Sequence, residues 1–193
     1  MKHLSDQELM RIVQGGDFSP ASEIYDRYSG RIYNFALRFL KNPEAAEDAT
    51  QEVFVKMIKH ANQFQGDAKL STWLFSITAN WCRDYLRKAD NKVKETDDVL
   101  LTLPAPAELG PDRALERRED QIRIQRALEV LTDEQREAIL LSRYQGLSYA
   151  EIAQVAGCSE GAVKTRVFRA METLKKLLSV DARGGDRCLN ALP

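Results

Sequence analysis

Apolar side chains recur at three- and four-residue intervals along most of this chain, and residues that start or stop helices bracket each run. Ser5 and Glu8 stand at the positions of a capping box, with Leu4 and Leu9 as its staple, which predicts an opening helix of about eight residues ending at Gly15-Gly16. Ser19-Pro20 restarts the chain, with proline at the first helical position, where its missing N–H costs little. Ile24, Tyr28, Ile32, Phe35, Ala36, Phe39 and Leu40 then predict the buried stripe of a helix from about Ala21 to Leu40. Beyond Asn42-Pro43, a helix from about Pro43 to Ala61 turns Ala46, Ala49, Val53, Met57 and Phe54 inward. It leaves Glu44, Glu47, Asp48, Gln51, Glu52 and Val55 on other faces. Glycine and polar content make 63–69 a loop. Leu70, Leu74, Ile77, Trp81 and Tyr85 predict a buried stripe on a helix from Leu70 to Lys88, whose other face carries Asn80, Arg83, Asp84, Arg87 and Asn91.

The pattern fails between about Lys92 and Gly110, where an acidic run meets Pro104, Pro106 and Pro111, half the prolines of the chain. Residues 93–111 read as a flexible linker. Helix resumes near Asp112 and runs to about Val130, with Ile122, Ile124, Leu128 and Leu131 as apolar points. Thr132 and Gln135 form another capping box, and Ile139, Leu140 and Leu141 line the helix that follows to about Tyr144. Ser148 and Glu151 make a third box, stapled by Leu147 and Ile152. That helix stops at Gly157, a residue suited to a left-handed turn. Ser159 caps the last helix, whose stripe is Val163, Val167, Ala170, Met171, Leu174, Leu177 and Leu178. Residues 179–193 show no periodicity and read as a disordered tail. With no convincing period-two strand, the predicted fold is all-α: two small helical domains over 1–92 and 112–178, joined by the linker.

Composition narrows the class. No apolar run among the 193 residues approaches the length of a membrane span, and MKHLSDQEL lacks a signal core, so the expected location is the cytoplasm with no membrane contact. Cys82, Cys158 and Cys188 are too scattered for a disulfide framework or zinc site, and Cys82 and Cys158 read as small buried hydrophobes. His3 and His60 have no partner pattern, and there is no phosphate loop. Catalysis, a metal and a cofactor are therefore not expected.

Net charge is only −1, yet its distribution is uneven. Residues 80–94 and 159–178 each carry a surplus of three positive charges, while Glu44, Glu47, Asp48 and Glu52 make 44–52 purely acidic. Two cationic patches suit nucleic acid, and the acidic one suits a protein, although acidic side chains near a helix N-terminus are also ordinary dipole partners. Two helices joined by a tight turn, the second presenting Lys164, Thr165, Arg166, Phe168 and Arg169 outside its apolar stripe, form a helix-turn-helix. Phe64 and Trp73 beside the cations of 69–88 suit unstacked bases, and the Asn80 amide can read a base edge.

In this order, three segments resemble the extracytoplasmic-function sigma factors of bacterial RNA polymerase: EDATQEVFVKMIKH (47–60), FQGDAKLSTWLFSITANWCRDYLRK (64–88) and LTDEQREAILLSRYQGLSYAEIAQVAGCSEGAVKTRVFRAMETLKKLL (131–178). The resemblance implies that Glu47, Asp48, Gln51, Glu52 and Val55 dock on the clamp helices of the polymerase largest subunit, and that the chain also contacts the flap region of core polymerase. It implies that the loop about Phe64 to Ser71 holds a flipped base of the minus-ten element. Phe64, Lys69, Ser71, Trp73, Asn80, Arg83, Arg87 and Lys88 would serve there in recognition and melting. Ser159, Lys164, Thr165, Arg166, Phe168 and Arg169 would meet the duplex minus-thirty-five element. The family also implies an anti-sigma partner. Glu160, at the first turn of the recognition helix, and the bulky Trp81 and Cys82 after Asn80 depart from the family pattern and put base preference in question. A rival reading, a free-standing operator-binding regulator, requires a sensory or dimerisation domain where residues 1–92 instead carry the acidic helix and the aromatic-basic segment.

Overall fold

A computed structural model describes residues 4–90 and 123–180, and every regular element among them is helical. The linker predicted over 93–111, the helix predicted from Asp112 as far as residue 122, and the predicted tail after its first two residues lie outside the described residues; Ser179 and Val180, assigned to that tail, instead close the last helix.

In the first lobe, α1 (Asp6–Gln14) carries the predicted capping box, with Ser5 and Glu8 satisfying each other's backbone donors. Helix α2 (Ala21–Leu40) begins one residue later than proline's usual place, because Pro20 is its cap rather than its first residue. All seven residues of its predicted stripe are buried. Asn42 caps α3 (Pro43–Lys59), which ends two residues short of expectation in a single 3-10 turn, Ala61–Gln63. The inward set Ala46, Ala49, Val53, Phe54 and Met57 is buried as predicted.

Helix α4 (Leu70–Asp90) departs from its predicted register of burial. Leu70 and Leu74 are buried, but Ile77, Trp81 and Tyr85 are only half-buried. Phe75, Thr78, Ala79 and Cys82 are closed off instead. The reason is a second partner: α4 packs on α2 and α3 and also on a helix of the other lobe, α7 (Tyr149–Ala156). A stripe read from one helix alone cannot register two neighbours.

In the second lobe, helical residues 123–129, here α5, precede α6 (Asp133–Ile139), which Thr132 and Gln135 cap reciprocally. The expected continuation to Tyr144 is a π-helical turn, Leu140–Tyr144, rather than regular α-helix. Arg136 is 7% exposed and works as an internal cap: its guanidinium donates to the carbonyls of Leu128 (3.0 Å) and Leu131 (3.1 Å) at the open end of α5, and to Phe39 of the first lobe (3.4 Å). Burial drags its pKa below the usual arginine value, against the pull of Asp133 and Glu129. Helices α7 (Tyr149–Ala156) and α8 (Glu160–Val180) are joined through Gly157 at φ +62°, the left-handed conformation that suits glycine. The α8 stripe is buried or half-buried except Leu177, which is exposed.

Candidate functional site

On α3, Glu47, Asp48, Gln51 and Val55 are exposed and Glu52 half-exposed, its carboxylate 3.7 Å from Lys56 Nζ. Beside them lies an open groove of 390 Å³ between α2 and α3, walled by Tyr25, Gly30, Tyr33, Glu47 and Gln51. Tyr25 is itself 45% exposed and leans on Phe54, ring centres 4.7 Å apart. Acidic heads thus stand beside uncovered apolar side chains on this face.

The loop after α3 differs from the expectation of an open stacking platform. Phe64 is buried, tilted against the half-buried Trp73 at 5.5 Å, so its ring forms the floor of the loop and its face is not offered to a base. Glycine and polar content located the loop, and the aromatic-plus-cation pattern could not assign the ring's direction. Lys69, Asn80, Arg87 and Lys88 are exposed, and Ser71 is half-exposed. Arg87 pairs with Asp84 at 3.0 Å on the surface. Asn80 Oδ1 accepts from Arg83 Nη2.

On α8, Lys164, Thr165, Phe168 and Arg169 share an outward face, with Phe168 66% exposed. Thr165 Oγ1 donates to the Gly161 carbonyl at 3.0 Å, and Ser159 Oγ accepts the Ala162 N–H as the helix cap. Arg166 is turned aside: it pairs with Glu134 at 3.1 Å and donates to Cys158 Sγ at 3.3 Å. Cys158 is therefore half-buried with a polar contact, while Cys82 is fully buried and its thiol pKa is pushed up by that burial. Glu160 is exposed at the first turn of α8.

The two lobes close on each other over the cationic face of α4. Arg83 Nη1 donates to both carboxylate oxygens of Glu137 (3.1 and 3.2 Å), and Arg83 Nη2 to the Val155 carbonyl (3.3 Å). The Glu137 side chain is only 6% exposed, and burial raises its pKa against the lowering influence of Arg83 and Arg166. Lys69 Nζ lies 3.0 Å from Glu151, which also accepts from Thr72 Oγ1 at 3.4 Å. Burial works against the Glu151 charge, but the Ser148 backbone and hydroxyl donors together with Lys69 outweigh it and hold the carboxyl at about 2. At the rim, Arg31 donates to the side chain and carbonyl of Gln145 (3.2 and 3.0 Å), and the Arg38 guanidinium stands 4.3 Å above the Tyr144 ring centre. Two of the expected promoter contacts, Arg83 and Lys69, are thus occupied by carboxylates of the same chain. These cations were visible in sequence; the carboxylates that hold Arg83 and Lys69, 54 and 82 residues away, were not.

No helix among the described residues is long and apolar enough to cross a membrane. The profile of Sigma-70 region 2 matches residues 24–92, and that of Sigma-70, region 4 matches residues 121–174. The RNA polymerase sigma-H factor of Pseudomonas aeruginosa is 31% identical over 185 residues, covering 90% of this chain and 93% of that protein. The ECF RNA polymerase sigma-E factor of Escherichia coli is 30% identical over 181 residues, covering 90% and 94%. Among solved structures, CnrH in complex with the cytosolic domain of CnrY superposes with a TM-score of 0.70 at 25% identity, over 92% of this chain and 99% of that one. The sigma factor RpoE of Bartonella quintana, in complex with the anti-sigma factor NepR, gives 0.67 at 27% identity, over 83% and 97%. With relatives at this identity matched along nearly their whole length, the chain belongs to the extracytoplasmic-function group of the sigma-70 family of RNA polymerase sigma factors.

Proposed function

We propose that this protein is an alternative sigma subunit of the bacterial cytoplasm, without catalytic activity of its own. It binds core RNA polymerase, directs it to specific promoters and promotes strand opening there. The α3 face of Glu47, Asp48, Gln51, Glu52 and Val55 docks on the clamp helices. The 64–71 loop and the α4 face recognise and open the minus-ten element, and Lys164, Thr165, Phe168 and Arg169 meet the minus-thirty-five duplex. One observation carries this reading: three surfaces of different chemistry stand on one chain whose full-length relatives are RNA polymerase sigma factors. An operator-binding regulator has no use for the first two.

Each cationic patch alone makes few phosphate contacts, so binding by the free chain is weak and salt-sensitive. Mounting both on one polymerase makes the second contact intramolecular and raises avidity. Arg83 and Lys69 must exchange Glu137 and Glu151 for phosphates, so promoter engagement and separation of the lobes are one event. An anti-sigma protein, the kind of partner seen with the Bartonella quintana RpoE, acts by holding the chain away from that event. The experiment is run-off transcription with core polymerase on a genomic fragment library. New, discrete start sites support the reading. Tight, sequence-specific duplex binding without polymerase, with no new starts, supports the regulator instead.

A further inference from the structure

The loop assigned to the flipped base is not held by its own sequence neighbourhood alone. After the single 3-10 turn at Ala61–Gln63, its backbone carbonyls lean on the first helix of the chain. Gln14 Nε2 donates to the Ala61 carbonyl at 3.0 Å and to the Phe64 carbonyl at 2.7 Å, and Gln7 Nε2 donates to the Gly66 carbonyl at 3.4 Å. Gln7 and Gln14 are seven residues apart, two helical turns, so both amides fall on the same side of α1. The helix that carries them is anchored independently. Leu9, Met10 and Val13 are buried in the lobe core, Asp6 accepts from Arg27 and Tyr28 of α2, and Arg27 Nη2 donates to the Leu4 carbonyl at 3.0 Å. Gly66, at φ +83°, lets the chain turn back toward Gln7.

Between α1 and the loop lies a cavity of 160 Å³, with Arg11 on the helix side and Gln65 and Asp67 on the loop side. It is half-open to solvent, and its volume is comparable to the roughly 150 Å³ that holds a benzene ring, so it has room for a single six-membered base. Its rim is polar: a carboxylate can accept from an exocyclic amino group, and amides and a guanidinium can donate to ring carbonyls.

We propose that α1 is the rear wall of the base-reading loop, with Gln14 and Gln7 as positioning residues. They fix the 61–66 backbone so that the cavity receives one unstacked base of the minus-ten strand. The inference rests on the reading of this chain as a sigma subunit and adds to it an element, the first helix, that neither matched region includes.

The test uses the full chain assembled with core polymerase on promoters randomised across the minus-ten element. Gln14→Leu keeps length and removes the donor, Gln14→Lys keeps a donor, and Gln7→Ala changes an exposed residue whose loss leaves the fold intact. In Gln14→Leu the Phe64 carbonyl loses its side-chain donor and the Ala61 carbonyl keeps only the Phe64 N–H, which corresponds to roughly a tenfold loss of permanganate-reactive open complex. The expected result adds flattened base preference at one minus-ten position, unchanged polymerase co-purification, unchanged duplex recruitment and recovery in Gln14→Lys. Gln7→Ala should show the same flattening in weaker form. Unchanged base preference in both Gln14→Leu and Gln7→Ala overturns the proposal. So does a loss spread evenly over all positions and accompanied by a lowered melting temperature, since a purely structural tie behaves that way. If the wild-type chain itself fails to start transcription with core polymerase, the underlying assignment falls and takes this one with it. An active wild type with indifferent variants sinks this one alone.

Discussion

Replacing Arg83 by methionine separates the two lobes by a charge that has nowhere to go. In the native chain the Glu137 carboxylate, 6% exposed, takes two hydrogen bonds from one guanidinium nitrogen of Arg83. Removing one partner of a fully buried ion pair costs about 3–5 kcal/mol, because the remaining charge is left in a poor solvent. Arg83 is itself 35% exposed and Arg166 also bears on Glu137, so the cost here is about 2 kcal/mol, a roughly thirtyfold shift toward the separated state. Protonation removes the penalty. Burial raises the pKa of Glu137 above its ordinary 4.5, so its contribution to closure is fully present below 4.5 and is lost as pH rises through the raised value. Arg83→Met should therefore be open at neutral pH and close again on acidification. Small-angle scattering reads the radius of gyration, and amide exchange on α4 and α7 reads the contact. A variant as compact and as protected as wild type at neutral pH, or an opening that acid does not reverse, refutes the reasoning.

Other expectations follow from the same geometry. Asp48→Arg should abolish co-purification with core polymerase without moving the melting temperature; retained co-purification removes the docking assignment. Arg169→Ala should weaken promoter recruitment by about 1–3 kcal/mol with relaxed preference at one minus-thirty-five position, and an equal loss on every sequence would reduce Arg169 to a phosphate contact. Arg136→Leu takes the donor from the Leu131 carbonyl, leaves the Leu128 carbonyl with only the Leu131 N–H, and should destabilise the second lobe by about 3 kcal/mol in denaturant titration; an unchanged midpoint would show that water replaces the guanidinium there.

Local signals were readable in advance because they act over three or four residues. The capping boxes at Ser5, Thr132 and Ser148, the stripe of α2 and the left-handed Gly157 all reside in short windows of sequence. What escaped was set by distant partners. Trp81 and Tyr85 recur at core spacing yet stack on each other half-exposed, because the buried line of α4 is drawn jointly by α2, α3 and α7. Phe64 turned inward because Trp73 offers it a partner. Arg166 left the outward face because Glu134 and Cys158 hold it. Arg136 and Gln14 carry no local signal of their own, and only the placement of carbonyls 5 to 97 residues away reveals their work. A buried position for arginine amid DEQREAI, adjacent to an apolar run, was the one available hint for the former.

Helix α4 belongs to two cores at once, and that shared membership governs how the molecule comes apart. While α7 rests against it, heat must melt both halves together, and calorimetry should record a single cooperative peak. Once the halves are parted by substitution at their ion pairs, each keeps its own melting point and the trace divides in two.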